Sequence, residues 1–290
     1  MPRAFYFLKK LYSNWQEDRI ASLAASLAYY TLFSLPPALL IFLSISSNFL
    51  GEQAAKNQLI AQISELLGKN IALQVQEIIE NANQPSTALV ARIISIIILL
   101  FGASGAFSEI QAGLNIIWKV QAKPHRTWFS IFKNRFLSFG MVLVSAFLLL
   151  VFIVFSTLLS ILHKHIYLHL GTDIIVLLFI NYIFAFIMIT LLSAMMFKYL
   201  PDIKLRWSNV WVGAVITSLL FSLGKTLIGF YLSHVHIGSV YGAAGSLIIL
   251  LIWIYYSAQI FFIGAEITKI HSMEKGIKIV PKRNASPVKK

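Results

Sequence analysis

Four ionisable side chains lie within or at the ends of long apolar runs of this sequence: Arg92, Glu109, Lys225 and Glu266. A charge in the hydrocarbon of a bilayer is costly, so such residues are by default candidates for contact with a substrate or an ion. Lys225 is the most isolated of the four. It could sit in a polar cavity and meet an anionic headgroup or ion, or it could snorkel outward or bond to backbone carbonyls. Glu266 closes the run Gly264-Ala265-Glu266, close enough to the end of its apolar segment to reach interfacial water. Arg92 and Lys225 belong to the outer half of the bilayer and Glu109 and Glu266 to the inner half, so no direct Lys225–Glu266 ion pair is expected. Tyr241 and the small-residue helix ends would line the path to Lys225.

The other chemistry-bearing types point away from catalysis. Five of the seven histidines (His163, His165, His169, His234 and His236) fall in two short loops. Paired imidazoles there could hold a divalent metal. Only Asp173 accompanies them, and loop histidines are usually solvated, so no metal and no cofactor is expected. The chain has no cysteine, which excludes disulfides and thiolate metal sites. It has no phosphate loop, no G-x-S-x-G elbow, no H-E-x-x-H and no dinucleotide fingerprint. An enzyme is therefore not expected.

The elements that must position these residues are membrane spans. The sequence is 58% hydrophobic and 12% charged, where a soluble domain carries about a quarter charged residues. A span needs about 20 mostly apolar residues, and about six segments qualify, near 21–50, 87–107, 136–162, 173–198, 210–232 and 240–267. The fold class is thus all-α, a polytopic membrane helix bundle. The first segment is too long for one straight crossing, and Pro36-Pro37 predicts a break or kink in it. Two amphipathic stretches add interfacial helices. Residues 52–83 repeat Leu59, Ile63, Leu66, Val75 and Ile79 at helical spacing on the outer side, either as a lid or as a connector that covers the bundle's outer end. Residues 108–119 carry Ile110, Leu114, Ile117 and Trp118 on one side and lead into a basic aromatic loop. Gly102–Gly105 and Gly242–Gly245 are small-residue clusters suited to close packing.

The net charge of +13 would suit nucleic acid, but its placement argues for orientation instead. With the N-terminus inside, nineteen Lys and Arg fall on cytoplasmic stretches and three on outer loops, as the positive-inside rule requires. Both termini are therefore predicted to be cytoplasmic. Residues 1–268 form the membrane domain, and 269–290 a basic tail expected to be mobile and drawn to anionic lipid. Membrane lipids are the expected partner. Nucleic acid is not, no soluble partner is evident, and an oligomer is left open.

Several motifs in order resemble the YihY/BrkB family of bacterial inner-membrane proteins. They are Ala24–Tyr30 followed by Leu35-Pro36-Pro37; Gly102–Gly105 with Leu114–Trp118; Tyr199-Leu200-Pro201-Asp202; Trp211–Ala214; Gly224-Lys225; Tyr241-Gly242-Ala243; and Trp253–Tyr255 through Gly264-Ala265-Glu266. The resemblance covers nearly the whole chain outside the tail. It implies six spans and residence in the bacterial inner membrane, and it marks Pro201, Asp202, Gly242 and Gly264 as motif positions, but it implies no single activity. Members of that family have carried a ribonuclease label. Neither histidine pair here extends to H-x-H-x-D-H, and both lie on the side away from RNA. Other members are linked to virulence or lipopolysaccharide export, which makes transport of a lipid or another anionic envelope substrate the leading expectation. A non-transporting scaffold for envelope proteins is the alternative.

Overall fold

The computed structural model describes residues 3–67, 72–73, 75–76, 79–80, 105–123, 140–141, 143–145, 147–159, 174–234, 243–282 and 285–288. Among them the protein is all-α, with helices α1 (Arg3–Glu17), α2 (Ile20–Leu50) and α3 (Glu52–Leu67). Helices α4 (105–117) and α5 (Leu143–Leu159) follow. The last three are α6 (Ile174–Tyr199), α7 (Trp207–His234) and α8 (Ala243–Glu274). Among the described residues three helical stretches are long and apolar enough to cross a membrane, Phe179–Tyr199, Trp207–Leu227 and Ile248–Glu274; Ile20–Leu35 and Leu143–Leu159 are shorter apolar stretches. The predicted second span lies outside the described residues apart from its last turn.

The ends of α2 and α6 fall within a residue of the predicted ends. The sixth predicted span, α8, differs. It runs to Glu274, seven residues past the predicted 267, because Lys269 and Ser272 are buried rather than solvated. It stops at Gly276, whose φ of +68° lets the Gly276 N–H reach the Met273 carbonyl and the Ile277 N–H reach Ser272.

Of the break or kink that the sequence predicts at Pro36 and Pro37, there is no break: α2 is continuous across both. Two prolines remove two backbone donors, but unwinding the segment in an apolar medium would strand more groups than that. The chain therefore keeps the helix.

Two buried clusters hold the bundle. One joins Ile20 and Ala24 of α2, Leu114 and Ile117 of α4, Phe197 of α6 and Phe262 of α8. The second joins Leu39 and Leu43 of α2, Ala55 and Leu59 of α3, Val75, Ile79 and Ile153. Leu59, Val75 and Ile79 are thus buried against the chain's own helices, so the amphipathic stretch after α2 covers the bundle at that end.

The opposite end is closed by the tail. Strand β1 (Val120–Ala122) pairs antiparallel with β2 (Ala285–Pro287). Ile203 bridges Pro281, the Lys204 N–H donates to the Val280 carbonyl and the Lys282 N–H to the Asp202 carbonyl. The expectation of a mobile tail is corrected here: the tail supplies the donors and acceptors that the 119–122 and 202–204 segments need, so pairing satisfies both sides.

Candidate functional site

The most concentrated chemistry in the described residues is an ionic cluster where α1, α2, α4 and α8 meet. It starts from a two-residue link. Helix α1 ends at Glu17, and Arg19 takes φ +51° before α2 begins. This left-handed conformation is uncommon for a residue with a side chain. It folds the chain back and leaves Asp18 between the helices, its side chain 1% exposed. A second left-handed residue, Lys119 (φ +52°), ends α4. Glycine usually fills such a position; here a lysine does, and its Nζ bonds Asp18 and, at 3.1 Å, Glu17.

Helix α8 supplies the rest. The Lys269 Nζ lies 3.0 Å from Asp18 Oδ2 and 3.3 Å from both Glu266 oxygens. Three residues apart on one helix, Glu266 and Lys269 share a face. Asn14 of α1 donates to Glu266 Oε2 at 3.0 Å, and Trp15 Nε1 donates to Gln259 Oε1 at 3.0 Å. Two buried carboxyls thus surround one buried ammonium, and a half-exposed lysine closes the open side. Burial alone would push the Asp18 carboxyl up; the side chains of Glu266, Lys119 and Lys269 reverse this and hold it below the ordinary value. Burial likewise opposes the charge on Lys119, and the Asp18 and Glu17 carboxylates overcome it and raise its pKa. The arrangement can pair ions and exchange protons.

A second polar knot sits beside it. Asn115 Nδ2 donates to Asp202 Oδ2 at 3.1 Å and receives the Asp202 N–H on its Oδ1 at 2.8 Å, while Gln111 Nε2 reaches Asp202 Oδ1 at 3.3 Å. Pro201 and Asp202 are both buried. This knot fixes the α6–α7 turn on α4, and the Asp202 carbonyl takes the Lys282 N–H of the tail.

The predicted residues therefore separate. Glu266 is in the ionic cluster and Asp202 in the knot. Glu109 lies one helix over and accepts from Ser26 Oγ at 3.0 Å. Lys225 belongs to neither group and is half-buried on α7. It follows Gly224, where an added Cβ would strike the Tyr256 ring of α8. Gly264 packs on α7: a Cβ there would overlap the Thr217 hydroxyl, and one on Gly213 would lie 2.5 Å from the Gly264 carbonyl. Thr217 and Thr268 bond back to the carbonyls of Gly213 and Gly264 at 2.7 and 2.9 Å. Two G-x-x-x-T faces thus meet in a reciprocal close contact. Arg92, Tyr241, Gly242 and the loop residues His163, His165, His169 and His236 lie outside the described residues; nothing is described of the side chains of His234, Pro36 and Pro37. Among the described residues no group of three His, Cys, Asp or Glu side chains gathers as a metal site requires.

Sequence reasoning missed Asn14, Asp18, Lys119 and Lys269. The i,i+3 pair Glu266–Lys269 was a usable signal, hidden by ending the last span at 267. Asp18 and Lys119 carried none, because their roles depend on two left-handed residues and on contacts a hundred or more positions apart.

A protein-family model described as virulence factor BrkB matches residues 11–288. A UPF0761 membrane protein of Photobacterium profundum is 30% identical over 271 residues, covering 90% of this chain and 79% of its own length. Another UPF0761 membrane protein, of Psychromonas ingrahamii, is 28% identical over 269 residues, covering 91% of this chain and 87% of its own. No solved structure matches. With apolar helices long enough to span a bilayer and a family match running from α1 into β2, the chain is an integral membrane protein belonging to the virulence factor BrkB family.

Proposed function

We propose that the protein translocates a lipid or another amphiphilic, anionic envelope substrate in the bacterial inner membrane, with both termini on the cytoplasmic side. The observation that carries this reading is Lys225, a half-buried cation in the apolar helix α7 beside the tight α7–α8 contact at Gly224. A cation within an apolar helix is a natural point of contact for an anionic headgroup carried through the bilayer, alongside the contacts it makes within the chain.

Orientation is supported by the contacts at the basic end. The stretches near residues 18, 119–122, 202–204 and 280–288 are bonded to one another. All four belong to segments that the charge count places in the cytoplasm, so one topology accounts for both. A scaffold for envelope proteins would organise them through the amphipathic segment 52–83. Burial of Leu59, Val75 and Ile79 inside the chain weighs against it.

Native mass spectrometry of the protein from lipid nanodiscs, wild type against Lys225→Ala, tests the reading. A specific anionic lipid retained by the wild type and lost in the variant is the expected result. Identical, bulk-like lipid on both proteins would remove Lys225 from the substrate path and leave the translocator reading without its carrying observation.

A further inference from the structure

Helix α1 is the one described helix whose exposed aromatic residues lie beside lysines and outside every membrane-spanning stretch. Its inner face is fixed: Asn14 bonds Glu266 and Trp15 bonds Gln259, both on α8. That sets the rotation of the helix. Phe5, Leu8 and Tyr12, spaced three and four residues apart, then form one stripe turned away from the bundle, each more than half exposed. Tyr12 stacks on Trp15 with ring centroids 6.2 Å apart, which ties the stripe to the docked face. Lys9 is exposed beside it, and no acidic residue occurs in the chain before Glu17.

The same end carries a second aromatic and basic group, on the α6–α7 turn. Trp207 and Trp211 lie 6.1 Å apart, and Lys198 Nζ sits 5.3 Å from the Trp207 ring. Lys204 and Arg206 are exposed next to them. Tryptophan and tyrosine with lysine and arginine are the composition of the headgroup level of a bilayer. This group places that level at the end of the bundle where α1 lies.

From these two observations we infer that α1 is an interfacial anchor, lying in the headgroup region of the protein's own leaflet with Phe5, Leu8 and Tyr12 in the acyl boundary and Lys9 on anionic phosphate. The occupant of the exposed stripe is an anionic lipid surface. The pairing of an aromatic stripe with an uncompensated basic edge is what such a surface complements, and a protein partner would leave the neighbouring Trp207–Trp211 group without a reason. The inference is independent of the role proposed for Lys225.

The chain has no native cysteine, so single cysteines can be read directly. Nitroxide labels are placed on the full-length protein at Phe5→Cys, Leu8→Cys, Tyr12→Cys and Ser13→Cys. The protein is studied in nanodiscs of phosphatidylcholine with or without phosphatidylglycerol, and accessibility to oxygen and to a water-soluble nickel chelate is measured. Positions 5, 8 and 12 are expected to favour oxygen and position 13 nickel, with a larger contrast in phosphatidylglycerol. Lys9→Gln should abolish the lipid dependence while keeping the alternation. Equal nickel access at all four positions overturns the anchor. Shielding of 5, 8 and 12 from both reagents overturns it in favour of a protein partner or a second copy. Alternation that is the same in both lipids overturns the anionic part.

Discussion

Lys269→Met removes a buried cation from between two carboxyls and is the sharpest test of the ionic cluster. The side chains of Asp18 and Glu266 are 1% and 0% exposed, and Lys269 is 6% exposed, so neither acid can turn to water when its partner goes. Breaking a buried pair from one side costs about 3–5 kcal/mol, mostly the penalty of the charge left behind. At about 2–4 °C per kcal/mol for a chain of this size class, the midpoint of thermal unfolding should fall by roughly 6–20 °C. Lys119→Ala provides the scale. Lys119 contacts the same Asp18 but is 44% exposed, so solvent screening limits its loss to about 1 kcal/mol. The assay is intrinsic-fluorescence unfolding of the purified protein in one detergent, for both single variants, Asp18→Asn, and the double variant Lys269→Met/Asp18→Asn. Neutralising Asp18 relieves part of the stranded charge, so the double variant should lose less than the sum of the singles, by about 0.5–3 kcal/mol. A Lys269→Met effect no larger than that of Lys119→Ala, or strict additivity with Asp18→Asn, would refute the cluster as an interacting unit.

Three further outcomes follow from the same geometry. Gly264→Ala pushes a methyl into the Thr217 side chain and forces α7 and α8 apart; a loss of about 1–3 kcal/mol is expected, checked by the same unfolding assay, with Gly140→Ala, where nothing lies within 4 Å, near neutral. Asp202→Ala strands the Gln111 and Asn115 amides and costs about 1–3 kcal/mol; limited proteolysis should then cut the tail faster at Lys278 or Lys282. For pH, Asp18 has a folded pKa held below its ordinary 3.8. Its contribution is complete above that value and disappears as pH falls through the lower folded one. Acid unfolding of Asp18→Asn should therefore be shallower than wild type below about pH 4.

The fold was largely legible because hydrophobic length decides it. Apolar runs gave α2 and α6 to within a residue, and the i,i+3,i+4 pattern gave α4 its buried side, Ile110, Leu114 and Ile117. The departures share a cause. Proline propensity predicted a break or kink in α2, and the larger cost of unwinding in apolar surroundings kept the helix continuous. Polarity ended the last span at 267, but a buried lysine with two acidic partners extends a helix as well as an apolar residue does. Low hydropathy made the tail look free, although strand pairing needs only backbone groups and a partner edge. The ionic cluster was half legible: Glu266 stood out as a charge in an apolar run, while Asp18 and Lys119 look like ordinary loop residues until two left-handed residues turn them inward.

These contacts also constrain how such a protein could move. Helices α7 and α8 are locked twice, by the reciprocal Gly213–Thr268 and Gly264–Thr217 contacts and again by Gly224 against Tyr256. Close small-residue contacts tolerate little sliding, because any shift drives a hydroxyl or ring into backbone. The two helices must therefore behave as one body, with Lys225 carried along on it. Helix α1 is fastened to that body through Asn14, Trp15 and Asp18. Helix α2 is held differently along its length. Near Ile20 it shares the cluster with α8, whereas Leu39 and Leu43 pack on α3 and Ile153, away from the ions. The second cluster is apolar, and the ion pair beside it, Lys56–Glu80 at 2.7 Å, joins α3 to the 72–80 stretch rather than to α7 or α8, so this cluster is the softer of the two. Any rearrangement that admits a substrate beside Lys225 is then expected at that end, between α2–α3 and the α7–α8 body, while the ionic end acts as the pivot.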